Sequence, residues 1–125
     1  MGRFCWYTVQ GKQDEGIIFI TAYQVCNDPN SGPITEHREQ YMTLRNEGVH
    51  KPDPRKDVLD ALKELIETKR QEGYRPVLMM DANGDYTKPK GDQDLRDFIL
   101  TTGLVDHFKD KPPHRSAPSF AGAND

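Results

Sequence analysis

The chain has 125 residues, the length of one domain, and 34% of them are hydrophobic against 30% charged. Its formal net charge of −3 excludes a general electrostatic attraction to nucleic acid or to an anionic membrane, so binding a polyanion requires a local patch. No apolar run approaches the roughly 18–20 residues needed to span a bilayer, and no apolar stretch follows a basic segment at the N-terminus; an intracellular chain without a membrane partner is expected.

Residues 3–10, "RFCWYTVQ", are rich in aromatic and β-branched side chains and alternate over two usable faces, which predicts a strand. "GKQDEG" is a polar turn, and residues 17–25, "IIFITAYQV", predict a second, more continuously apolar and therefore central strand. The two form a hairpin. "CNDPNSGP" is a loop by composition. Residues 34–48 predict a surface helix with Thr35 as N-cap, Gly48 as stop, and a thin apolar stripe of Tyr41, Met42 and Leu44.

The clearest element follows. Asp53 suits an N-cap and Pro54 the first helical position. Val58, Leu59, Leu62, Leu65 and Ile66 then recur at helical spacing on one face, with Glu64 and Glu67 among basic residues on the other, and Gly73 ends the helix. Residues 75–80, "RPVLMM", predict a short, fully buried strand, because the apolar run is too brief for a helix. Residues 81–93 are a loop. Residues 94–103 predict a short helix with Leu95, Phe98, Ile99 and Thr102 on one side, and residues 104–108, "LVDHF", a further short strand. The segment 109–125 is proline-rich, polar and irregular. The order β-β-α-α-β-α-β describes an α/β domain in layers.

Cys5 and Cys26 fall at the two neighbouring N-terminal strands. A disulfide between them is open, but without a secretion signal two buried thiols are favoured. The four histidines have no zinc-ligand spacing. The chain enters a strand three residues from its start and stops without a closing element, so the middle of a larger domain is expected ahead of a small complete one.

The stretch "PVLMMDANGD" carries the chemistry. A carboxylate at the C-terminal end of a buried strand is held by the core on one side and faces solvent on the other, and such strand ends are where layered α/β folds place ligands. Asp81 offers a hard oxygen for magnesium or a base to orient water, and Asn83 a donor to a phosphoryl oxygen. Taken alone, Asn-Gly after Asp reads first as a turn. An EF-hand is excluded, since Tyr86 and Asp92 stand where its loop needs glycine and glutamate. Tyr23, near the end of its strand, reads alone as a core tyrosine with a hydrogen-bonded tip. Asp106 and His107 are adjacent and form no dyad, because neighbouring strand residues point to opposite faces.

Taken in order, "IFITAYQVCNDP", "PVLMMDANGD", "LRDFILTTGLVDHF" and "SAPSF" resemble the successive motifs of the endonuclease/exonuclease/phosphatase family, magnesium-dependent phosphodiesterases. "GRFCWYTVQG" and the spacing resemble the apurinic-endonuclease-like domains of reverse-transcriptase elements. The resemblance implies part of a layered α/β sandwich, two β-sheets flanked by helices and incomplete at both ends, with residues 1–125 as a partial domain and DNA as the partner. It implies that Asp81 orients or activates the attacking water, that Asn83 binds the phosphoryl oxygen, and that Tyr23 donates to the phosphate or helps set the geometry. Met80 stands where the family has glycine, and Val25 where proline is common. The family's metal-binding glutamate and its closing Ser-Asp-His segment have no counterpart in the sequence. A bound Mg2+ is thus implied for the intact domain, and this chain is expected to be inactive alone. The alternatives are a catalytically dead remnant or interaction module that keeps only the fold, and an unrelated α/β domain in which "DANGD" is a turn.

Overall fold

The computed structural model describes residues 3–25, 36–107 and 109. Three strands, β1 (Phe4–Gln10), β2 (Gly16–Tyr23) and β3 (Tyr74–Asp81), form one sheet in the order β1-β2-β3. Three helices accompany it: α1 (Glu36–Asn46), α2 (Pro54–Gln71) and α3 (Gln93–Thr102). The chain is thus a small α/β fold with a mixed sheet. β1 pairs antiparallel with β2 across a tight connection that contains a 3-10 turn at Lys12–Asp14. β2 pairs parallel with β3, and the chain between them includes α1 and α2.

The helices begin and end for local reasons. Asp53 caps α2, its carboxylate accepting the Lys56 amide at 3.1 Å, and Pro54 occupies the first turn, where its missing N–H costs nothing. Asp92 caps α3 in the same way, accepting the Leu95 amide at 3.0 Å. Gly103 closes α3 at φ 66°, a left-handed position that glycine adopts without a Cβ penalty. Arg70 of α2 donates to the Thr102 carbonyl at the end of α3, and Arg3 pairs with Asp57 of α2.

The core lies between one face of the sheet and the helices. Ile18, Ile20 and Ala22 of β2 meet Val58, Leu59, Leu62 and Ile66 of α2 and Leu95 and Phe98 of α3, all buried. Full burial of each large aliphatic side chain contributes about 1.5–3 kcal/mol relative to exposure. The spacing read from the sequence therefore places α2 and α3 correctly, with Leu65 and Ile99 packed at the margin. On α1 the apolar stripe is different. Met42 is exposed, Tyr41 and Leu44 are half-buried, and Gln40 is buried.

Several expectations need correction. β3 is not fully buried: its residues alternate, with Arg75, Val77, Met79 and Asp81 exposed. The cause is that the described helices cover one face of the sheet, so every second strand residue points away from them. Leu104–Asp106 form no strand; the chain leaves α3 irregularly, and Phe108 lies outside the described residues. Cys5 is exposed rather than buried, because it sits on the uncovered face. Cys26, Thr35 and nearly all of the segment 109–125 lie outside the described residues. The described residues form one sheet of three strands, which bears out the α/β class and leaves the two-sheet arrangement unshown.

Candidate functional site

β2 and β3 run parallel and end together. Tyr23 and Asp81 are register partners, each the last residue of its strand. By the alternation of the strands both lie on the uncovered face, Tyr23 half-buried and Asp81 exposed. The ladder continues one step further, with the Gln24 amide donating to the Asp81 carbonyl at 2.9 Å.

Beyond that point the strands separate, and Asn83 bridges the gap. Its backbone turns at φ 44°, a left-handed position that asparagine tolerates better than most residues. Its side-chain amide donates to the Gln24 carbonyl at 2.8 Å. The chain therefore bends at this point, and the bend brings Asn83 back towards the end of β2. The amide group carries two donor hydrogens, so one bond to Gln24 leaves the second hydrogen and the oxygen for other partners.

Arg55, in the first turn of α2, fixes the whole corner. Its guanidinium donates to the Val25 carbonyl, to the Asn83 carbonyl at 3.3 Å and to the Asp92 carboxylate at 2.5 Å. The fork geometry of arginine suits this task, since several donors leave one plane in fixed directions. Gln24 is fully buried beneath it and donates to the Arg55 carbonyl at 3.0 Å. Its side-chain oxygen has no hydrogen-bond partner among the described residues.

The loop that follows is closed on itself. The Asp92 amide donates to the Asp85 carbonyl at 2.8 Å, and Arg96 of α3 reaches back to the carbonyls of Tyr86 and Lys88. A side chain at Gly91 would place its Cβ 1.9 Å from the Asp85 carbonyl oxygen, so only glycine fits there. The Asp85 carboxyl is held down at about 2 by the Thr87 hydroxyl, then the Thr87 amide, then Lys88. Tyr86 donates its hydroxyl to Asp106 at 2.7 Å, while His107 is exposed.

A cleft of about 640 Å³ opens beside this loop, lined among others by Tyr41, Arg55, Asn83, Lys90 and Asp92. Of the three residues singled out from the sequence, only Asn83 lines it. Tyr23 and Asp81 stand together on the sheet's outer face, and Asn83 stands between them and the cleft. Sequence reasoning missed Gln24, Arg55 and Arg96. Their partners lie up to 37 residues away along the chain, and no local pattern reports such contacts.

Magnesium takes octahedral oxygen ligands, commonly one or two carboxylates with waters and phosphates. Asp81 supplies one carboxylate. Among the described residues no group of three or more His, Cys, Asp or Glu side chains is placed to hold a metal ion. Asp81 alone would leave most of the coordination to water, phosphate or groups outside the described residues.

Two outcomes follow from the loop. Arg55→Ala leaves the Asp92 charge and two carbonyls short of their donor; urea unfolding should show a loss of about 2–3 kcal/mol, with Arg55→Lys recovering less than half of it. The Asp85 carboxyl has a lower value folded than unfolded, so its contribution is complete above the ordinary value of 3.8 and disappears as the pH falls towards about 2. A carboxyl NMR titration should place the Asp85 midpoint near 2, and Thr87→Ala should move it back towards 3.8.

No family model matches the chain, and no curated protein or solved structure matches it.

Proposed function

We propose that the chain is the central part of a magnesium-dependent phosphodiesterase domain of the endonuclease/exonuclease/phosphatase type, acting on phosphodiester bonds in DNA. The observation that supports this is the placement of Tyr23 and Asp81. They are register partners at the C-terminal ends of adjacent parallel strands, with Asn83 turned back beside them by its bond to Gln24. Ligand sites of layered α/β folds form at such strand ends.

Cleavage of a phosphodiester needs a water in line with the leaving oxygen, donors on the phosphoryl oxygens, and little covalent chemistry from the protein. Asp81, exposed at the strand end, orients and deprotonates the water. Asn83 uses its remaining amide hydrogen on a non-bridging oxygen. Tyr23 donates to the phosphate from the neighbouring strand. A bound magnesium ion would supply charge neutralisation in the intact domain, with Asp81 as one ligand and further ligands from outside the described residues.

The sandwich architecture of that domain places a second sheet on the outer face of β1-β2-β3. The apolar character of this face supports it: Tyr7, Val9, Ile17, Val77 and Met79 are exposed there. A second reading, a remnant or interaction module that keeps the fold without the chemistry, is favoured by the commitment of the Asn83 amide to Gln24 and by Asp81 being the one carboxylate among the described residues that end β2 and β3.

Paramagnetic Mn2+ substitutes for Mg2+ and reports weak sites. In the presence of a short abasic DNA duplex, Mn2+ should broaden the amide signals of residues 22–24 and 81–84 first, and Asp81→Ala should abolish the effect. Broadening elsewhere, or none, contradicts the phosphodiesterase reading. In a plasmid-nicking assay with Mg2+ the chain should stay close to background. Robust cleavage lost in Asp81→Ala would keep the family reading and overturn the incompleteness of the site.

A further inference from the structure

The outer face of the sheet has an unusual distribution of charge. The register assigns to it Cys5, Tyr7 and Val9 of β1, Ile17, Phe19, Thr21 and Tyr23 of β2, and Arg75, Val77, Met79 and Asp81 of β3. Its centre is apolar, with Tyr7 stacked on Phe19 at a centroid distance of 5.2 Å and still 59% exposed. Its charged strand residues are Arg75 and Asp81, of opposite sign and at opposite ends of β3. At about 3.3 Å per residue they stand roughly 20 Å apart on one strand.

We propose that a second copy of this chain covers the face, giving a two-fold dimer in which the two sheets pack as a sandwich. A two-fold axis lying between the sheets, perpendicular to the strands and level with Leu78, sets each β3 over its counterpart in the reverse direction. Arg75 of each copy then meets Asp81 of the other, and the pair forms twice across the interface. An isologous interface requires this kind of self-complementarity. Face-to-face sheets pack about 10 Å apart with strands within about 30° of each other, a spacing that the arginine side chain can cross. Glu15 already pairs with Arg75 at 3.3 Å, but both side chains are largely exposed, so that pair is weak and leaves Arg75 able to turn.

Three strands of seven or eight residues make a small surface, at the low end of specific interfaces. A dimer with a dissociation constant in the micromolar range is expected rather than an obligate one. The inference concerns the chain by itself: the second copy occupies the face that the second sheet of the proposed domain would cover, so the two exclude each other there, and the inference does not need the phosphodiesterase reading. Its test uses no metal and no DNA, so either can fail without the other.

The test is analytical ultracentrifugation of the chain under reducing conditions, over a dilution series. The dimer should appear as a species of twice the 14.3 kDa chain mass. Phe19→Lys should be monomeric with an unchanged circular dichroism spectrum. Arg75→Asp and Asp81→Arg each place like charges across the interface, and each should weaken the dimer by about tenfold or more. The double variant should restore the dissociation constant to within about twofold of the wild type. Monomer at all concentrations, assembly beyond the dimer, or a double variant as weak as the single ones overturns the proposal.

Discussion

The structure depends on a constraint of sheet geometry: side chains alternate between two faces, and the described helices cover one of them. β2 shows the consequence most clearly. Ile18, Ile20 and Ala22 are buried against α2 and α3, while Ile17 before them and Thr21 between Ile20 and Ala22 are exposed. A strand whose outward residues were polar would be at rest in this arrangement. Here the outward residues of all three strands include large apolar groups, and contiguous exposed apolar surface of that kind marks an interface.

That constraint also explains which parts of the fold were legible in the sequence. Helices were readable because their signals are local. Asp53-Pro54 starts α2, Asp92 starts α3, and Gly73 and Gly103 lie in left-handed backbone where helices end. The strand at residues 75–80 was identified correctly but assigned two buried faces. The continuous run Val77, Leu78, Met79, Met80 does not distinguish a covered strand from one whose second cover is elsewhere. The apolar pattern records what both faces require, and the described residues satisfy one of them.

The corner at the ends of β2 and β3 was legible only in part. Tyr23, Asp81 and Asn83 stood out as residue types at strand ends, and the Asn-Gly bend was expected. Neither Arg55, which ties Val25, Asn83 and Asp92 together, nor the buried Gln24 beneath it has a sequence signal, because their partners are remote. The bend and the candidate site are one feature here. The left-handed backbone at Asn83 directs its amide to the Gln24 carbonyl at the end of β2, two residues beyond Asp81 in the chain.

The claim that most of this account rests on is that a second copy of the chain covers the outer face of the sheet. Met79 on that face is 50% exposed and Met42 on α1 is 45% exposed, so each serves as the other's reference. Oxidation by dilute hydrogen peroxide, followed residue by residue by mass spectrometry, measures the accessibility of both in one sample. At high protein concentration Met79 should oxidise several-fold more slowly than Met42, and on dilution the two rates should converge. Equal rates at every concentration would contradict the account.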